Sequence, residues 1–452
     1  MKKEASTEPQ LLKRIAALVT ENKELKEKCR LLADSNARLS ENLENVKSHS
    51  PEQAKDVNYV RFDMATLLYV EIKGLSDIVQ SSTDVMCYMD RMDQYFIRFN
   101  EILKKYKLVK IRSIGDNFIC AGGISEKNVT HPVTVTLAAL EMLHVIESDT
   151  QSAWGVHIGI HTGSVTTSVD GMEQSVYRIK GDTVNVVSRM ASIGQRNTIT
   201  ISATTYELVK ELFECSYICA LPVKYQDKLE LYTVTGIHQE YASGEKQRFP
   251  NENFRTKFML YQFGDLQEHI LDLLEKKLPK HLFYHNVKHT VDVVTESELI
   301  GWAEGVDDHA LLLLKTAALF HDTGHTISYA DHENRSAEIA RKYLPDYDYS
   351  ASEIDEICRI IMATKLPPKP ADLLESIICD CDLDYLGRAD FVPVSNTLYE
   401  EMKAMGKMSS INDWNKLQLK FISSHQYFTK TGRSLREVKK QEQIERIKQL
   451  IE

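Results

Sequence analysis

Histidines and carboxylates crowd into one stretch of the chain. Seven of its fifteen histidines, counting His281, fall between residues 281 and 332. They and their acidic neighbours form three clusters: YHNVKH at 284–289, FHDTGH at 320–325 with HE at 332–333, and CDCDLD at 379–384. The informative side chains are His285, His289, His321, Asp322, His325, His332, Glu333, Asp380 and Asp382. Imidazole together with carboxylate suits a borderline-to-hard divalent ion. Such an ion lowers the pKa of bound water to about 7 and polarises a phosphoryl oxygen, which is hydrolytic chemistry. A single buried histidine is usually an ordinary core residue, but chance helix composition explains this density poorly, so a metal site is expected. The four-residue spacing of His285 and His289 predicts that they share one face of a helix. His321 and Asp322 are expected at the end of the apolar helix ALLLLKTAALF.

The elements that must carry these residues are helical. Residues 257–452 lack strand alternation and show 3.6-residue periods at 265–277, 308–320, 333–343, 352–364 and 371–378. A charged helix at 434–452 is expected to run past the fold. Residues 57–236 differ: strand-like runs at 66–72, 107–112, 117–121, 154–160 and 231–235 alternate with helical patterns such as 84–105 and 132–147. That is an α+β layout with one main sheet. The polar segment 237–256 holds Gly244 and Pro250 and marks a boundary. Upstream, residues 11–46 keep an unbroken heptad seam, with Ile15, Asn22, Cys29, Asn36 and Leu43 at a, and leucine or Val46 at d. Asparagine at a favours a parallel two-stranded coil. The polar stretch 47–56 reads as a linker. The expected plan is a coiled coil over 1–50, a second domain over 57–240 and an all-α domain over 250–452.

Over about residues 260–430 the chain resembles the HD superfamily of metal-dependent phosphohydrolases, with His289, His321–Asp322 and Asp382 at the H…HD…D positions. YHNVKH is similar to the Y-H-N-x-x-H motif of class I cyclic-nucleotide phosphodiesterases, FHDTGH to their H-D-x-x-H, and QLKFI to their Q-x-x-F-I. The resemblance implies His289, His321, Asp322 and Asp382 as ligands of divalent ions, two in number (zinc, manganese, magnesium or iron). It implies His285 as proton donor to the leaving oxygen and His325 as a catalytic histidine or a support for the ligands. It places Gln418 on the purine edge and Phe421 on the purine ring. TISYADHENRSAEIARKYL departs from the eukaryotic enzymes, and HENRSAEIA and DCDLDYLG look more like small bacterial HD hydrolases of unknown substrate. There, His332 or Glu333 is expected to hold a second metal or activate water.

The middle segment resembles the class III adenylate/guanylate cyclase domain, a ferredoxin-like α+β fold that works as a dimer. The motifs, in order, are VNYVRFDMATLLYVEIKGLSDIV, IRSIGDNFICAGGI, GVHIGIHTGSV and YRIKGDTVNVVSRMASIG. The resemblance puts Glu71 and Asp116 at the two metal-binding carboxylate positions, with Glu71 one methylene longer than the usual aspartate. It puts Asn185 and Arg189 on the ribose and the transition state, and Arg112 and Arg178 at the base-selecting positions. Two arginines in one purine pocket offer donors only and repel each other. A degenerate, regulatory cyclase domain is therefore expected.

The net charge of −10 argues against a general nucleic-acid binder. No apolar run reaches the ~20 residues of a membrane span, and MKKEASTEPQ lacks the apolar core of a signal peptide. A cytoplasmic homodimer that binds no membrane is expected. The reading is a cyclic-nucleotide phosphodiesterase whose substrate is cyclic AMP or cyclic GMP, controlled by nucleotide bound at the cyclase-like domain. The alternatives are a bifunctional enzyme with an active cyclase, and a signalling scaffold in which neither site turns over.

Overall fold

The computed structural model describes residues 59–73, 85–125, 128–149, 155–170, 176–223, 226–244 and 247–451. The heptad seam of 11–46 and the linker of 47–56 lie outside the described residues.

The first strand, β1 (Tyr59–Lys73), is central to an eight-stranded sheet. Its run of Leu67, Leu68, Val70 and Ile72 is apolar on both faces because both faces are covered. Leu68, Val70 and Ile72 pack with Met92, Tyr95 and Phe99 of α1 (Val85–Lys105). Ala65 and Leu67 pack on the opposite side, with Val165 and Val187. Strands β2 (Val109–Ile114) and β3 (Asn117–Gly122) form a hairpin beside β1, followed by α2 (His131–Glu147). Then come β4 (Gly155–Asp170), β5 (Val176–Lys180), α3 (Asp182–Ile193), β6 (Thr198–Ser202), α4 (Ala203–Val209), β7 (Phe213–Val223) and β8 (Gln226–Ile237). The order across the sheet is β2-β3-β1-β4-β6-β8-β7, with β5 on β4. Among the described residues only β4 and β6 pair in parallel; the other pairs are antiparallel. The single mixed sheet agrees with the sequence pattern. Strands β5, β6 and β7 do not appear in that pattern: the first two have five residues each, and Glu214 and Ser216 interrupt the apolar run of β7.

The polar segment 237–256 is not a simple break. Short strands β9 (Ala242–Ser243) and β10 (Phe249–Pro250) pair, and α5 (Glu252–Lys277) starts within the segment. Asn251 caps that helix by accepting the Phe254 N–H at 3.0 Å. Phe254 belongs to the core of the sheet domain, edge-on to Phe213 at 5.9 Å. The next residue, Arg255, binds both oxygens of Glu353 at 2.7 and 2.8 Å in the helical domain. Farther along α5, Asp265 accepts the Val129 N–H at 3.0 Å.

The helical domain continues with α6 (Val287–Glu304), α7 (Asp308–Phe320), α8 (His332–Tyr343), α9 (Ala351–Ala363), α10 (Leu373–Asp382), α11 (Phe391–Ala404), α12 (Ile411–Ser424) and α13 (Lys430–Leu450). Helix α7 is apolar nearly all round and is buried from Leu311 to Leu314 and from Thr316 to Phe320, which makes it the axis of this domain. The expectation that the last helix runs past the fold is corrected: Lys440, Gln443, Ile444 and Ile447 of α13 are buried. Among the described residues no helix is long and apolar enough to cross a membrane.

Candidate metal centre

Two local features set the position of the first histidines. The Asn286 side chain caps α6, accepting the N–H groups of Lys288 and His289 at 2.8 and 3.2 Å. Its extended backbone stops the helix there, so His285 lies before the helix and does not share a helical face with His289, as the spacing had suggested. His289 rises from the first turn of α6. His321 caps the C-terminus of α7, and its Nδ1–H donates to the Ala318 carbonyl at 2.7 Å. That bond fixes the tautomer and leaves Nε2 free to act as a ligand.

Nε2 of His321 stands 3.3 Å from Nε2 of His289. An Asp382 oxygen lies 3.1 Å from His289 and 3.5 Å from His321, and an Asp322 oxygen lies 3.5 and 3.4 Å from the same two nitrogens. Four donor atoms thus converge from α6, α7 and α10. Separations of this size match the edges of a coordination polyhedron with bonds of roughly 2.0–2.2 Å. A second group, His285, Asp322 and His325, shares Asp322 with the first. His332 also approaches Asp322, at 3.5 Å, and Glu333 lies 3.8 Å from His332. The His325 and His332 rings stack at 4.0 Å. Gly324 makes this packing possible: a Cβ there would stand 2.0 Å from the His332 carbonyl oxygen.

Electrostatics favour a cation. Burial works against charge on Asp322, yet the surrounding histidines, His321 foremost, hold its carboxyl well below the usual carboxylate range. Burial likewise opposes a charged His321, but Asp322 and Asp382 push it up to about 9. Burial pushes His325 down to about 3. Both nitrogens of His325 and one oxygen of Asp322 are buried without a hydrogen-bond partner among the described residues. Orphaned donor atoms facing a shared carboxylate fit a divalent ion.

One residue of the site escaped the sequence reading. Glu401, fully buried on α11, accepts the N–H groups of Tyr284 and His285 at 2.9 and 3.1 Å, and its other oxygen meets His285 Nδ1 at 2.5 Å. Burial lowers the pKa of His285, but Glu401 and then Asp322 more than offset that, and the net shift is upward. Glu401 lies in YEEMK, a stretch that reads as an ordinary surface helix.

Other expected site residues sit apart from the cluster. Asp380 is structural: it accepts the N–H groups of Phe428 and Thr429 and the Thr429 hydroxyl. Gln418 donates to the Ser395 hydroxyl and is buried, and Phe421 packs on the small core that contains Tyr284 and Tyr385. Neither lines the cavity of about 270 Å³ that reaches His289 and Asp382. In the sheet domain, Glu71 of β1 pairs with Asn117, next to Asp116, so the two carboxylate positions are neighbours across strands. The Tyr69 hydroxyl donates to Asn117 at 2.6 Å, and Asn117 donates to Asp116 at 2.8 Å. Arg112 is exposed on β2, and Asn185 and Arg189 are exposed one turn apart on α3. Arg178 lies on β5, paired with Ser168.

Comparison with known proteins agrees with both halves. Residues 57–236 match the family model for the adenylate and guanylate cyclase catalytic domain, and residues 286–385 match that for the HD domain. The chain therefore carries a class III cyclase catalytic domain followed by an HD domain. It is 28% identical over 155 residues to receptor-type guanylate cyclase gcy-28 of Caenorhabditis elegans, covering 33% of this chain and 12% of that one. It is 28% identical over 163 residues to the guanylate cyclase soluble subunit alpha-1 of Rattus norvegicus, covering 35% and 23%. The chain thus spans less than a quarter of the length of these curated relatives. Among solved structures, the guanylate cyclase domain of RhGC from Catenaria anguillulae in complex with GTP is 26% identical, covers 39% of this chain and 98% of that one, and has a TM-score of 0.36.

Proposed function

We propose that the HD domain is a metal-dependent phosphodiesterase acting on cyclic nucleotides, regulated by the cyclase-type domain. The observation that carries this reading is the His285–Glu401 pair set beside a four-donor cluster. His289, His321, Asp322 and Asp382 would hold a divalent ion, with Asp322 shared toward a second position lined by His325 and His332. Bound metal would supply an activated water and polarise the phosphoryl oxygen. Glu401 fixes Nδ1 of His285 and favours its protonated form, so Nε2–H faces away from the carboxylate and can protonate a leaving oxygen. Burial of His321 and Asp322 keeps bulk water off their donor atoms. Gln418 and Phe421 would contact the base only if a substrate drew α12 toward the cluster.

The cyclase-type domain is read as a nucleotide sensor. Asp116, Asn185 and Arg189 keep the types needed to bind a phosphate or metal. Glu71 lengthens one carboxylate, a misplacement of about 1 Å that costs on the order of 100-fold. Arg112 and Arg178 replace both familiar ways of holding a purine. A working cyclase is the second reading, favoured by the guanylate cyclases among the relatives.

One assay separates them. The manganese-loaded protein should hydrolyse cyclic AMP or cyclic GMP to the 5′-monophosphate. His285→Ala should lose about 10²–10⁴-fold in rate with its metal retained. Cyclic product from ATP or GTP in the His285→Ala protein would replace the sensor reading with the bifunctional one. Absence of hydrolysis in the loaded parent protein would remove the phosphodiesterase reading.

A further inference from the structure

Among the described residues, two cations, Lys288 and Arg388, line the cavity that reaches His289 and Asp382, and both are engaged. Lys288 binds Asp292 at 2.6 Å. Arg388 binds Asp390 at 2.6 Å and Asp292 at 2.9 Å. Lys407 makes no ion pair among the described residues. Its ammonium lies 3.8 Å from the centre of the Tyr329 ring. That ring in turn stands 5.0 Å from His325 and 5.8 Å from His285. One aromatic ring therefore separates an exposed lysine from the proton-donor side of the site.

Backbone geometry puts the lysine there. Gly406 takes a φ of +68 after the end of α11, a left-handed conformation that favours glycine. The chain turns back, and the Lys407 N–H bonds the Met402 carbonyl at 2.9 Å. The same helix end carries Glu401, and the Tyr329 hydroxyl reaches Met402 Sδ at 3.8 Å. The carboxylate that orients His285 and the lysine thus belong to one helix terminus. An exposed lysine on an aromatic face, with no ion pair among the described residues, in a chain of net charge −10, is an attractor for anions.

We propose that Lys407 is a substrate-attracting cation of the HD site, drawing the anionic phosphoester to the His285–His325 side of the cluster. The proposal rests on the phosphohydrolase reading for its substrate class. It needs no covalent step: the lysine acts through charge on binding, and the proton-donor histidine and metal ligands remain separate from it. Its effect is expected on KM and on salt dependence, with kcat little changed, because a charge outside the donor cluster acts on encounter more than on the chemical step.

The test is a charge series in the manganese-loaded protein: Lys407→Arg, Lys407→Gln and Lys407→Glu, with Lys403→Gln as a control. Lys403 lies on the same helix and pairs with Glu400 at 3.8 Å. Expected are a near-parental KM for cyclic AMP or cyclic GMP in Lys407→Arg and a rise of about 5-fold in Lys407→Gln. A larger rise is expected in Lys407→Glu, with kcat within about twofold throughout and a flatter salt dependence in Lys407→Gln. Lys403→Gln should leave KM unmoved. Equal KM values in the parent and Lys407→Glu would overturn the proposal, as would equal losses in all three variants, which would mean that only packing on Tyr329 matters. Should the parent hydrolyse no cyclic nucleotide, the phosphodiesterase reading fails separately. The same graded order must then appear in calorimetric affinities for 5′-AMP and inorganic phosphate, and its absence there overturns the role of Lys407.

Discussion

In the cyclase-type domain a chain of buried side chains runs between two histidines. His131 Nδ1 meets the Thr66 hydroxyl at 2.8 Å, and Thr66 meets Thr162 at 2.8 Å. Thr162 meets Thr205 at 3.0 Å, Thr205 meets Ser202 at 3.1 Å, and Ser202 meets His161 Nδ1 at 2.8 Å. None of these six side chains keeps an orphaned buried polar atom among the described residues. The HD domain buries a comparable set of polar groups with the opposite outcome: His325 and Asp322 keep atoms that no protein group satisfies. Hydroxyls can both donate and accept, so a threonine chain closes on itself. Carboxylates and ring nitrogens that all present lone pairs to one point cannot. The first cluster is complete as protein, while the second keeps donor atoms that a cation would complete.

That contrast can be broken in several ways. Asp322→Ala removes the carboxylate shared by both donor groups, and should abolish both metal content and hydrolysis. Full metal by elemental analysis would mean the convergence is accidental. Glu401→Gln is expected next in size: about 10- to 100-fold in rate with the metal retained, since it orients an acting residue without being a ligand. The alkaline fall of its pH–rate profile should begin at lower pH than in the parent, because His285 must be protonated to act and no longer has the carboxylate that raises its pKa. An unchanged profile would detach Glu401 from the chemistry. Thr162→Val should leave catalysis alone and cost about 1–3 kcal/mol of stability in urea unfolding, by taking one hydrogen-bond partner each from Thr66 and Thr205, which keep only His131 and Ser202. A change in hydrolysis without one in stability would reverse the assignment of the two clusters.

The last effect is one of pH. Burial pushes His131 and His161 down to about 4 from an ordinary 6.5, and His425 of the HD domain likewise. A depressed histidine contributes its stability in full above the unfolded value, and that contribution is lost as pH falls toward the folded one. The urea midpoint should therefore hold above pH 6.5 and decline from there to about 4. A midpoint that stays flat across that window would show that these rings charge without penalty.

How far the sequence revealed all this differs by residue. The convergence of His289, His321, Asp322 and Asp382 was legible because histidine and aspartate are rare in an apolar helical setting, and because these four recur in short motifs. The place of His285 was not: its spacing to His289 suits a helix, and only the side chain of Asn286 decides that the helix begins after it. Glu401 was invisible because a glutamate among YEEMK looks like solvent-facing charge, and its partner lies 116 residues away. The central strands were legible as apolar runs. β7 was not, because Glu214 and Ser216 break its pattern.

The joint between the domains has a mechanical consequence. Phe254 seats in one core and Arg255 grips Glu353 in the other, and the two are consecutive in a single helix. Successive helical positions differ by about 100° around the axis. The two domains are therefore geared in phase rather than strung together. One residue inserted between Phe254 and Arg255 would turn every later side chain of α5 out of register with the sheet domain. A working hybrid built from either half must preserve that angle as well as the sequence on each side of it.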